Sequence, residues 1–172
     1  TVIHKPENTI DLKNSRLRLK FEELFLIQLK IIALKHTREN KFKGYRFEKV
    51  GFNFNKFYKD YLPFELTNAQ KKVIKEIRKN VNRNIQMNRL LQGDVGSGKT
   101  LVALMIMLLA MDNGYQVCLM VPTEILAQQH FASISSLLEK TRVRICLLTG
   151  STRQAERKRI HHFLQNGEMN LI

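Results

Sequence analysis

The chain is short of cysteine, proline and glycine, with two, three and eight among 172 residues. Two cysteines cannot build the disulfide framework of a small secreted domain, so a reducing compartment is expected. So few prolines and glycines exclude a low-complexity or linker protein. Long apolar runs are missing too. The longest, Leu101 to Met111, is about half of the roughly 20 residues that a membrane-spanning helix needs, and the opening TVIHKPEN has no apolar signal-peptide core. A soluble, cytoplasmic protein with no membrane partner is the expectation. Acidic residues are the last shortage: 15 Asp and Glu stand against 29 Lys and Arg, a formal net charge of +14. A basic surface attracts polyanions and releases their counterions on contact, a chemistry that RNA, DNA and anionic lipid all satisfy.

Apolar residues make up 44% of the chain, enough at this length for an ordinary core. The basic charge divides unevenly. Residues 1–62 hold 14 Lys/Arg and 7 Asp/Glu, while the much longer stretch 63–172 holds 15 and 8. Within the first region, Leu17, Phe21, Leu24, Phe25, Leu29, Ile31, Ile32 and Leu34 recur mostly three and four apart, which predicts an amphipathic helix over about 15–39 opening after Asn14-Ser15. From Phe42 to Tyr61 aromatics alternate irregularly with Lys and Arg. Such a segment can stack single-stranded bases or strap a connection onto a neighbouring domain, and both readings stay open. Pro63 marks the boundary.

Beyond it, strand and helix patterns alternate. Helices are predicted from Thr67 to about Asn80, Thr100 to Asn113, Thr123 to Leu138 and Thr152 to Gln165. Short apolar runs at Asn88–Gln92, Gln116–Val121, Val143–Leu148 and Met169–Ile172 read as strands. That order predicts an α/β fold with a parallel sheet covered on both faces, with Cys118 and Cys146 as small buried hydrophobes inside it.

Gly93-Asp94-Val95-Gly96-Ser97-Gly98-Lys99-Thr100 matches G-x-x-x-x-G-K-[ST] at every position, after a predicted strand and opening a predicted helix. The glycines let successive N–H groups curl around nucleotide phosphates at the positive end of the helix. Lys99 supplies an ammonium to the β/γ oxygens and Thr100 a hydroxyl to Mg²⁺. A nucleotide and Mg²⁺ are therefore expected. Upstream, Thr67-Asn68-Ala69-Gln70 forms a capping box, and the Gln70 amide also carries the donor–acceptor pair that complements an adenine edge.

The stretches LPFELTNAQ (Leu62–Gln70), MNRLLQGDVGSGKT (Met87–Thr100) and VPTEILAQQH (Val121–His130) together resemble the RecG family, bacterial branch-migrating DNA helicases of superfamily two. Arg18 to Phe25 also resembles that family's helix between a junction-binding wedge and the first motor domain. The resemblance implies a RecA-like P-loop NTPase sheet, Gly93–Thr100 as motif I holding ATP and Mg²⁺, and Gln70 as the adenine-reading glutamine. It makes Pro122 and Thr123 part of motif Ia, and Thr149 and Gly150 part of a second DNA-contacting loop. Read as residues alone, Thr123 and Ser151 are helix caps, and Arg153 and Arg157 either touch phosphate or form a solvated basic face.

The family's partners would be Holliday junctions and replication forks, in a bacterial cytoplasm at the nucleoid. The resemblance also implies a piece of a longer enzyme: residues 1–62 as the connection after the wedge, and 63–172 as the N-terminal part of the first motor domain. The water-positioning DExH box and the second motor domain would lie elsewhere in the same chain, leaving this stretch inactive alone. Two alternatives are a transcription-repair coupling translocase, similar around the phosphate loop, and a small-molecule P-loop kinase, for which Gln70 and the Val121–His130 stretch have no role.

Overall fold

Two compact units are present in the computed structural model, which describes residues 3–172: one ends at Gly44, the other runs from Tyr45 to Ile172. The first consists chiefly of helix α1 (Thr9–Lys41). It begins ahead of the predicted Asn14-Ser15 start because Asn8 is the cap, its Oδ1 accepting the Asp11 N–H at 2.7 Å. Helix α1 contains no buried residue, so the predicted apolar stripe of Leu17, Phe21, Leu24 and Phe25 is exposed. Pairs one turn apart support it: Arg18 with Glu22 at 2.7 Å, and Phe21 stacked on Phe25. Hydrogen bonding to Glu22, and then its charge, raise the Arg18 pKa above its ordinary value.

The second unit is built around helix α4 (Lys99–Asp112), whose Leu104, Met105, Leu108 and Leu109 are completely shielded from solvent. A helix apolar on all sides has to be central. Helix α3 (Asn68–Val81) packs Ile74, Ile77 and Val81 into the same core, helix α5 (Glu124–Leu138) contributes Ile134 and Leu138, and helix α6 (Gln154–Gln165) buries Ile160. Removing Leu108 would leave a cavity and destabilise the fold by about 2–5 kcal/mol.

The aromatic segment belongs to this unit and acts as a strap. Short helix α2 (Phe52–Lys56) runs into a π-helical turn (Phe57–Tyr61), and Phe57 is fully buried, with Phe47 and Phe54 packed beside the core. The end of α4 clamps the strap. Asp112 accepts the N–H groups of Gly51, Asn53 and Phe54 at 2.9–3.0 Å, and Asn113 exchanges two hydrogen bonds with the backbone of Lys49. The Asp112 carboxylate thereby satisfies the open N-terminal donors of α2.

The predicted four-stranded sheet is not formed as regular strands among the described residues. Parallel pairing survives as two isolated bridges, Val117 with Leu171 and Ile145 with Leu171, which put residues 170–172 between the other two segments. On one side the pairing is regular: Val117 N–H donates to Asn170 O, Ile172 N–H to Val117 O, and Leu119 N–H to Ile172 O. On the other, the Leu171 N–H donates to Arg144 O and the Cys146 N–H to Leu171 O, the two bonds of a parallel bridge, while the Asn170 N–H shares the Arg144 carbonyl and the Asn170 side chain accepts the Arg144 N–H. Asn88–Gln92 has no backbone partner among the described residues, and Leu90 is 87% exposed. The cysteine expectation also needs correction: Cys118 is exposed and Cys146 only half-buried. Without a covered ladder on its far side, the 116–121 segment has one open face.

Candidate functional site

Residues 93–100 form a loop closed on itself at the start of α4. Gly96 and Gly98 take left-handed backbone conformations, φ 79° and 78°, which residues with a side chain rarely adopt. Gly98 is the N-cap of α4, its carbonyl accepting from Leu101 and Val102. The N–H groups of Lys99 and Thr100 lie in the first turn and have no partner within the helix. They are the donors an anion would use. Space in the loop is tight: a Cβ on Gly93 would stand 2.8 Å from Ser97 Oγ.

Lys99 folds back over the loop, its Nζ donating to the carbonyls of Gly93 at 2.9 Å and Asp94 at 2.6 Å. The Ser97 N–H closes the turn onto Asp94 O at 3.2 Å. Charged phosphate oxygens would bind such an ammonium more strongly than these two neutral carbonyls. Asp94 and Val95 are exposed at the loop tip, and Thr100 is half-buried behind it.

Gln70 reaches this loop from α3. Its Oε1 accepts the Thr67 N–H at 2.9 Å while its own N–H donates to Thr67 Oγ1 at 3.2 Å, which completes the capping box. Its Nε2 donates to the Ser97 carbonyl at 3.0 Å. A Cβ on Gly98 would come within 2.4 Å of that nitrogen, so Gly98 makes room for the glutamine as well as for the turn. Both ends of the Gln70 amide are engaged, one by its own helix and one by the phosphate loop.

The four residues singled out for DNA come together elsewhere in the unit. Pro122, Thr123, Thr149 and Gly150 line one open cleft of about 400 Å³ with Glu124 and Arg157. Thr123 caps α5 through its Oγ1, which accepts the Leu126 N–H at 3.3 Å. Thr149 is held three ways: its N–H by Thr152 Oγ1, its hydroxyl beside Ser151, and its carbonyl by Arg157 Nη2 at 2.7 Å. Ser151 is not the cap of α6. That position is Arg153, and the Ser151 hydroxyl instead donates to the Glu124 carboxylate.

Sequence reasoning left Arg157 undecided and did not see the Glu124–Ser151 contact. The first had no signal in the sequence: only the fold makes Arg157 half-buried where Arg153, Lys158 and Arg159 are exposed. The second joins residues 27 apart and has no local signature.

A phosphate loop thus heads a buried helix, with a glutamine bonded to the loop and a separate polar cleft beside α5 and α6. The model of the DEAD/DEAH box helicase family matches residues 67–169, more than half of the chain, and the chain belongs to that family. Within it the chain is RecG-like. It is 43% identical over 170 residues to the ATP-dependent DNA helicase RecG of Synechocystis sp. and 44% identical over 170 residues to that of Bacillus subtilis. These alignments cover 99% of this chain but 20% and 25% of the relatives, so it spans about a fifth to a quarter of their length. A solved structure of RecG bound to a three-way DNA junction superimposes with a TM-score of 0.86 at 39% identity, covering 96% of this chain and 22% of that one.

Proposed function

We propose that residues 63–172 are the N-terminal part of the first motor domain of an ATP-driven DNA translocase, with residues 1–62 the connection leading into it. The motor would branch-migrate Holliday junctions and regress stalled replication forks in a bacterial cytoplasm, its wedge and second motor domain supplied by the same protein. The observation that carries this reading is the loop 93–100, closed by its own lysine over two carbonyls and touched by Gln70. ATP would take the place of those carbonyls: Gly93, Asp94, Val95, Gly96, Ser97 and Gly98 as the cradle, Lys99 on the β/γ oxygens, and Gln70 turned from Ser97 to the adenine edge.

Mg²⁺ would be held beside the same phosphates. No group of three or more His, Cys, Asp or Glu at metal spacing occurs among the described residues. The cation would therefore rest on the Thr100 hydroxyl, phosphate oxygens and water, the mode this ion favours. Held there, the ion would supply positive charge to the phosphates. Lys99 and Thr100 orient and neutralise; none of the residues described is assigned the activation of water. At the cleft, Thr123 and Thr149 hydroxyls and the Gly150 backbone would meet DNA phosphate, and Pro122 would set the entry of α5.

Fluorescence anisotropy of a labelled three-way junction tests the DNA part. Binding that weakens as salt rises and is reduced in Thr123→Ala is expected. Absence of binding at low salt would contradict it.

A further inference from the structure

Arg157 sits on α6, outside the loop it touches. Its Nη2 donates to the carbonyl oxygen of Thr149 at 2.7 Å, and the Thr152 N–H donates to the same oxygen at 3.3 Å. A trans peptide unit is planar and its C=O and N–H point in opposite directions. Holding the Thr149 oxygen towards α6 therefore aims the Gly150 N–H the other way. That N–H has no hydrogen-bond partner among the described residues, Gly150 is exposed, and it lines the cleft. A carbonyl fixed on one side thus presents a free donor on the other.

We propose that Arg157 is a positioning residue for DNA: it locks the Thr149–Gly150 peptide so that the Gly150 N–H is offered to a backbone phosphate. The inference rests on the DNA reading of the cleft given above and adds a residue and a mechanism to it. The contribution is geometric. A guanidinium suits it, because several rigidly placed N–H groups hold a carbonyl in one orientation, whereas an ammonium is a mobile point charge. Ser151 fixes the far side of the same turn through Glu124, so the peptide is tied at both ends.

The distinguishing measurement is salt dependence. A cation that touches phosphate directly contributes about 0.9 to the slope of log affinity against log salt, whereas a neutral N–H presented by a positioned peptide releases no counterion of its own. Binding of a labelled three-way DNA junction is measured across a salt series for the wild-type chain, Arg157→Ala, Arg157→Lys and Arg153→Ala. The amide resonances of the glycines are recorded without DNA.

Arg157→Ala should weaken binding about tenfold with the slope unchanged, and should move the Gly150 resonance while leaving those of Gly93, Gly96 and Gly98 in place. Arg157→Lys should recover only part of the affinity, and Arg153→Ala should match wild type. A slope reduced by about 0.9 in Arg157→Ala, or full recovery by lysine, would make Arg157 a direct phosphate contact and overturn the proposal. So would wild-type affinity in Arg157→Ala. Should Arg157→Ala fail to fold, Arg157→Lys decides: partial affinity with a moved Gly150 resonance supports the proposal, and full recovery overturns it. A wild-type chain that binds no DNA overturns the DNA reading and this proposal with it, whereas DNA binding indifferent to Arg157 overturns this proposal alone.

Discussion

The side-chain nitrogen of Gln70 donates to the carbonyl oxygen of Ser97 across 3.0 Å, joining the first turn of α3 to the phosphate loop. The same amide closes the helix cap, so a single residue reports on both the loop and the fold of its own helix. Replacing it separates the two roles. Gln70→Glu keeps an oxygen for the Thr67 N–H but loses the donor to Ser97. Nucleotide affinity should fall and discrimination of ATP over GTP should shrink about tenfold or more, with thermal stability nearly unchanged. Gln70→Ala should in addition lose about 1 kcal/mol of stability with its half of the cap. Competition binding with the two nucleotides, alongside thermal melts, checks both.

The clamp at the other end of α4 predicts a stability effect with no direct loss of nucleotide contacts. Asp112→Ala leaves the N–H groups of Gly51, Asn53 and Phe54 without their carboxylate, in a partly buried setting. A loss of about 3 kcal/mol in a denaturant titration is expected. Gly51→Ala should destabilise too, because a Cβ there would lie 2.7 Å from the Asp112 carboxyl carbon. The double variant should lose less than the sum, since both changes remove the same contact.

Thiol labelling follows from exposure and burial. Cys118 is exposed, while burial, and then the neighbouring Cys118, push the Cys146 thiol up. A raised thiol pKa means that the reactive thiolate appears at higher pH than in an ordinary cysteine. Iodoacetamide at neutral pH should therefore modify Cys118 first. The onset of Cys146 labelling should lie at higher pH in the folded chain than after denaturation, as mass spectrometry of the peptides would register.

Much of this was legible in the sequence, for local reasons. Helices α3 to α6 begin and end within a residue or two of their predicted limits, because Thr67 and Thr123 cap, Gly114 and Gly167 stop, and the apolar spacing lies within each element. The phosphate loop could be read in full for the same reason: eight adjacent residues carry it. What was not legible depends on distance along the chain. Asp112 meets residues 58 to 61 positions away, and Arg157 reaches Thr149 through a fold that spacing cannot specify.

The missing regular strands have another cause. The apolar runs predicted as strands form no regular strands among the described residues, because whether such a run becomes a ladder depends on its neighbours. The two bridges at Leu171 stay isolated, and Asn88–Gln92 finds no backbone partner among the described residues. Helix α1 shows the converse. Its apolar spacing was read correctly as helical, yet spacing says nothing about what covers the stripe, and every one of its apolar residues is left unburied.

The central claim is that residues 93–100 grip a nucleotide through Lys99. Isothermal titration of ATP with Mg²⁺ into the chain, and into Lys99→Ala, tests it most directly. Saturable binding to the wild-type chain, weakened at least a hundredfold in Lys99→Ala with the melting temperature unchanged, is the predicted result. Equal binding by the two proteins, or no binding by the folded wild type, would contradict it.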